Sequence, residues 1–166
     1  MKNSFQQTPV IKTRPKQLIA GLSTQMSLAQ NTTAMLWGKF GPFRKELKSA
    51  VKDRGSYSIQ LYGEDFMTTP FLPTTVFTKW AGVVVPETVT IPKGLETMVL
   101  PEGKWAVFLY KGTANDFGAF AQYIYKDWLP KSGYELDHRP HFEYMSETYL
   151  GSNNSDAEEE VWIPIK

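Results

Sequence analysis

The chain has 166 residues, a size that fits one domain or two small fused units and is long enough to bury a core. Lys and Arg total 18 against 17 Asp and Glu, and a net charge of +1 gives bulk electrostatics no reason to recruit nucleic acid. The lack of cysteine excludes disulfides, thiolate nucleophiles, zinc ribbons and iron–sulfur sites, while 14% aromatic residues beside only 2 His point to stacking and shape recognition more than to polar chemistry.

The first sixteen residues lack the apolar run of a signal peptide, and no stretch approaches the roughly 18 apolar residues of a membrane span, so a cytoplasmic location away from the membrane is expected. Charge is uneven. Residues 1–60 carry 10 Lys/Arg and 2 Asp/Glu, residues 61–134 carry 6 and 7, and residues 135–166 carry 2 and 8. The basic residues are dispersed and no helix-turn-helix or RNA-binding signature accompanies them, so the pattern reads as two ends that lie near one another or that solvate separate faces rather than as a basic arm for nucleic acid.

In chain order, Gln17 to Leu28 reads as a strand and Thr33 to Ala50 as a helix. Leu36, Phe40, Phe43 and Leu47 form the helix's apolar stripe, and Asn31, Thr32 or Thr33 is its cap. Gly41-Pro42 predicts a kink or a break, since proline forfeits an internal hydrogen bond. Tyr57 to Gly63 and Val76 to Val85 read as strands, followed by a Pro86 to Gly94 connector and a strand from Met98 to Lys111. A second helix, Asn115 to Leu129, has Phe117, Phe120, Ala121, Ile124 and Trp128 on its stripe, Thr113 or Asn115 as cap, and Pro130 with the following Lys-Ser-Gly as its stop. Tyr134 to Tyr144 and Glu160 to Ile165 are the last strands.

Two halves, residues 17–85 and 98–165, thus repeat the order strand, helix, strand, strand. They predict a single α+β domain over residues 1–166: tandem βαββ units with helices packed over a curved antiparallel sheet. The strand from Lys104 to Tyr110 is apolar on both faces, with Trp105, Val107 and Leu109 on one and Ala106, Phe108 and Tyr110 on the other. A helix covers only one face, so the partner unit or a ligand between the units must cover the second.

His138-x-x-His141 with Glu143 is the one metal-like spacing, and it is poor, because positions three apart on a strand face opposite sides. The sequence implies no metal and no cofactor, and no nucleophile-elbow, phosphate-loop or dinucleotide fingerprint is present. Glu143 shares a face with His141 and Met145, opposite Phe142 and Tyr144. That face is either exposed or a lined cleft, where desolvation would raise the pKa of the carboxyl and fit it to attract a cation or to act as a base. The Glu158-Glu159-Glu160 run reads as a solvated turn.

Several segments of the second half together resemble the GyrI-like family, the effector-binding domains of AraC- and MerR-type bacterial regulators that also occur alone. They are Leu100 to Phe108, Tyr110-Lys111-Gly112, Trp128-Leu129-Pro130, Ser132 to Glu135, Phe142-Glu143-Tyr144 and Ile163 to Lys166. The resemblance spans roughly residues 97–166; the first half contributes only its element order and Lys79-Trp80-Ala81-Gly82. It implies pseudo-twofold symmetry, a central cleft walled by aromatic residues, and an acidic residue in the Phe-Glu-Tyr position that recognises cationic or polar aromatic compounds. That residue is Glu143, with Trp80, Tyr110, Phe120, Met145 and Trp162 as expected walls.

The regulators carry a DNA-binding domain ahead of this module, and the 16 residues before the first expected strand do not hold one, so direct DNA binding is not expected. Three functions follow. The leading one is a small-molecule binding protein that senses or sequesters a cationic or aromatic amphipathic compound. The second is a hydrolase of reactive xenobiotics in which Glu143 activates water, with binding favoured over catalysis. The third is a protein-interaction module like the family's gyrase-inhibitory members.

Overall fold

The computed structural model describes residues 5–166. Eight strands form one antiparallel sheet: β1 (Val10–Arg14), β2 (Gln17–Met26), β3 (Ser56–Leu61), β4 (Phe77–Val85), β5 (Glu96–Leu100), β6 (Gly103–Lys111), β7 (His141–Met145) and β8 (Glu158–Ile165). Their order is β1-β6-β8-β7-β3-β4-β2-β5.

That order is the expected repeat with one addition. In each unit the first strand is bent into two pieces, β1/β2 and β5/β6, and the pieces exchange partners. β2 pairs with β4 and β5, while β6 pairs with β8 and β1. Both ladders between the bent strands keep one register, Arg14 facing Gly103 and Gln17 facing Leu100. The sheet's two edges are therefore joined through the bends, and the sheet curls around one of its faces. At the β5–β6 corner Gly103 has φ +158, and a Cβ there would meet the Arg139 guanidinium at 2.3 Å. Arg139 pins the corner by donating to the Lys104 and Ile165 carbonyls and to Asp137 while it stacks over Trp105.

The enclosed inner face holds Ile19, Tyr57, Ile59, Trp80, Leu100, Trp105, Val107, Phe142 and Trp162. The partner unit thus supplies the cover that the doubly apolar strand required: Trp105 and Val107 point inward, whereas Ala106, Phe108 and Tyr110 pack under a helix. Leu109 departs from this pattern and is exposed.

On the outer face, α1 (Thr33–Leu47) covers β2 and β4 through Leu36, Phe40 and Leu47. It is unbroken across Pro42, contrary to the sequence expectation of a break. Proline inside a helix forfeits one hydrogen bond and crowds the carbonyl four residues back, here that of Gly38, yet the helix continues through it. The N-cap position is Thr32, which makes no side-chain capping bond; just before it Asn31 Oδ1 accepts from Thr33 N at 3.0 Å.

The second helix is composite: α2 (Phe117–Gln122), a π-helical stretch (Tyr123–Trp128) and α3 (Leu129–Ser132). Pro130 does not stop it, because proline is tolerated in the first turn of α3, where its N–H has no required partner. The helix ends at Gly133, the glycine of the expected stop, which lies in the left-handed region at φ +77.

Three strand boundaries also differ from expectation. Residues 134–140 form a loop whose single bridge joins Leu136 to Ile165. β1 occupies a segment with no strand expected, and β8 starts at Glu158, taking in the acidic run that read as a turn. Among the described residues, no helix is long and apolar enough to cross a membrane.

Candidate ligand-binding site

The seam between the repeats is the β3·β7 ladder, with Ser58 opposite Glu143 and Gln60 opposite His141. Strand alternation puts Ser56, Ser58, Gln60, His141, Glu143 and Met145 on the outer face. α1 packs on β2 and β4, and α2 packs on β6 and β8, so the seam is left between them as a cleft with a polar floor.

Glu143 lies half-buried at the centre of this floor and accepts from Gln60 Nε2 at 3.3 Å. Burial raises its carboxyl pKa above the ordinary value, and Lys79 and the Gln60 hydrogen bond pull it partly back. Lys79, on β4 beside Gln60, is buried, and its ammonium pKa is lowered by desolvation against the opposing pull of Glu143 and Glu159. Glu159, two residues before Val161, faces the same cleft, since Val161 pairs with Glu143. Burial, aided by the Glu143 charge, pushes its carboxyl up to about 8.

Three phenols feel the charge of these carboxylates. Tyr62, Tyr125 and Tyr149 all have raised pKa values, first from burial and then from charges that include Glu143 in each case. Tyr125 comes from the π-helical stretch, whose extra residue per turn re-aims side chains, and its hydroxyl lies 2.8 Å from His141 Nδ1. Tyr62 closes the cleft's other end. It stacks on Phe66 with ring centroids 4.1 Å apart and meets His141 edge-on at 4.9 Å. The loop it begins encloses a small cavity of about 100 Å³ lined by Tyr62, Phe66, Pro70 and Phe71.

His141 is neutral, its pKa lowered to about 3 by burial and then by His138 and Arg139. The two imidazoles have separate partners, His138 Nε2 meeting the Tyr62 carbonyl and His141 meeting Tyr125, and no metal-ligand cluster exists among the described residues.

Of the residues singled out from sequence, Glu143 and Met145 lie on the cleft floor. Tyr110 shares their face opposite Glu159, its hydroxyl donating to the Thr113 carbonyl at 2.6 Å. Phe120 lies beneath α2 against Tyr110, in core packing. Trp80 and Trp162 do not wall the cleft. Register places them with Ile59 and Phe142 on the inner face, where they are 7% and 5% exposed. Lys79, Glu159, Gln60, Tyr62, Tyr125 and Tyr149 escaped sequence reading. A lysine within the apolar Phe77-to-Val85 strand was an available signal, as was the period-2 alternation that carries Glu159 onto the face of Val161 and Ile163.

A paired-βαββ sheet with two helices and a central cleft carrying an acidic residue among phenols defines a class of small-molecule binding domain. The chain belongs to the GyrI-like small molecule binding domain family, whose model matches residues 7–166. It is 28% identical over 152 residues to the transcriptional regulator BrlR of Pseudomonas aeruginosa, an alignment covering 92% of this chain and 53% of that protein. The chain thus spans about half the length of this relative. Its fold is similar to that of SAV2435 bound to tetraphenylphosphonium, with TM-score 0.74, 14% identity and 96% and 94% of the two chains covered. It is also similar to the EcmrR C-terminal domain, with TM-score 0.65, 12% identity and 95% and 96% covered.

Proposed function

We propose that the domain binds a cationic or aromatic amphipathic compound over Glu143 and serves as a sensor or a sequestering module. The observation that carries this reading is a half-buried carboxylate on the cleft floor, hydrogen-bonded to Gln60, with Tyr62 and Tyr125 both meeting His141, which shares its face of β7. A buried carboxylate lacks the hydration that would otherwise stabilise its charge, and a ligand cation supplies that stabilisation. Each phenol face adds roughly 0.5–2 kcal/mol of cation–π attraction. The structure of SAV2435 bound to tetraphenylphosphonium, a lipophilic cation, supports the ligand class. Titration of cationic aromatic dyes by fluorescence anisotropy tests it. Binding tighter than millimolar that weakens about tenfold or more in Glu143→Gln is expected, and unaltered binding in that variant would count against the reading.

A further inference from the structure

Lys79 is the residue of the cleft that cation recognition does not explain. It sits on β4 between the buried Phe77 and Ala81, and its strand neighbours are Gln60 on β3 and Thr24 on β2. Only 8% of the residue is exposed. Among the described residues its ammonium makes no hydrogen bond and no ion pair within 4.0 Å, although both Glu143 and Glu159 act on it electrostatically. The stem is enclosed but the ammonium is not among the fully buried atoms, so its tip meets the open space of the cleft. The carboxylates there stay beyond pairing distance, and its donors are free for an acceptor that a ligand brings when it displaces solvent.

We infer that the cleft is bipolar: Lys79 is a specificity-determining residue that binds an acceptor oxygen of the ligand, while Glu143 binds its cationic end. The inference rests on the cation-binding reading and narrows it. The ligand class is an aromatic or amphipathic compound that carries a cation together with a carboxylate, phosphate or carbonyl oxygen. A purely lipophilic cation would meet the ammonium as a like charge and leave its donors unmatched. A ligand with both groups satisfies both walls, and the unpaired donor then discriminates between compounds of the same shape, because a buried polar group left without its partner is penalised more heavily than a missing apolar contact. An anionic oxygen beside Lys79 would also hold the amine in its protonated form, opposing the effect of burial.

The test uses two probes of one scaffold, an N-methylquinolinium carboxylate, which is a zwitterion at neutral pH, and its methyl ester, a monocation. Calorimetric titration compares them on the wild-type chain, Lys79→Met and Glu143→Gln. The expected result is that the wild type favours the zwitterion by about tenfold, that Lys79→Met erases this preference and binds the ester as well or better, and that Glu143→Gln weakens both probes. Equal affinities, or a preference for the ester, in the wild type would overturn the role of Lys79. In that case weakening by Glu143→Gln leaves cation binding standing. Failure of both probes to bind the wild type counts against both readings. The wild-type ratio needs no variant, so the test survives a Lys79→Met chain that does not fold.

Discussion

Gln60 Nε2 donates to Glu143 Oε1 at 3.3 Å, joining β3 of one repeat to β7 of the other at the middle of the cleft. The bond favours the charged carboxylate, so it opposes the desolvation that raises the Glu143 pKa. Gln60→Leu removes this opposition. The expected outcome is an upward move of the Glu143 titration midpoint, followed through its side-chain carboxyl carbon shift by NMR. A midpoint equal to the wild type's would show that the bond does not set the ionisation of the site.

Glu159 gives the fold a pH dependence of unusual sign. Its folded pKa is about 8 against an ordinary 4.5, so between these values the folded chain holds a proton that the unfolded chain has released. Its contribution to stability is present at low pH and is lost as pH rises through about 8. Glu159→Gln keeps a neutral side chain at all pH values and should remove this loss. Thermal unfolding from about pH 5 to about pH 8 is expected to show a flatter profile for the variant, with its largest gain at the alkaline end. Parallel profiles would contradict the assignment.

His141 acts in the opposite direction. It is 4% exposed and neutral when folded, with a pKa near 3 against an ordinary 6.5. The unfolded chain therefore takes up a proton first as pH falls, and the His141 contribution is intact above 6.5 and declines toward 3. In the wild type the two slopes partly cancel, and variants are needed to separate them. His141→Asn places an acceptor oxygen near the position of Nδ1 and keeps a partner for the Tyr125 hydroxyl. The variant should lose less stability than the wild type between about pH 7 and about pH 5; an equal or greater loss would show that His141 is not the acid-sensitive group.

Much of this arrangement was legible in the sequence, and the failures have physical causes. The helix stripes of Leu36, Phe40 and Leu47 and of Phe120 and Ile124 follow the 3.6 period and are buried as that period requires. Alternation through His-Phe-Glu-Tyr-Met placed Glu143 opposite Phe142 and Tyr144, in agreement with the observed pairing. The inner face was harder to assign. Trp80 and Trp162 lie on strands apolar on both sides, and periodicity cannot tell an enclosed sheet interior from a ligand wall. β1 was missed because Val10 to Thr13 is exposed, and its strand character comes from pairing with β6 through the bend at the corner. Three consecutive Glu suggest a turn by composition, yet the ladder with β6 runs out to Glu158 opposite Lys111. The phenols that feel the Glu143 charge arrive from a loop after β3, the π-helical stretch and the loop after β7, which no local pattern brings together.

The division between inner and outer faces yields the remaining prediction. Phe142 has no exposed surface, stacks on Trp162 with centroids 5.1 Å apart at 15°, and meets Trp105 at 5.0 Å. It is next to Glu143 in sequence, but the pleat directs it to the other side of the sheet. Truncation leaves a cavity among three aromatic rings that the closed sheet cannot easily collapse, so Phe142→Ala should destabilise the fold by about 3–5 kcal/mol. Phe142→Leu retains most of the volume and should lose less. Urea unfolding measures both. Below the transition, the Leu variant is expected to bind a cationic probe with nearly wild-type affinity, whereas Glu143→Gln is expected to lose binding at little cost in stability. If Phe142→Leu weakened binding as strongly as Glu143→Gln while remaining folded, the inner face would be in contact with the ligand, and the cleft would not be confined to the helix-bearing side of the sheet.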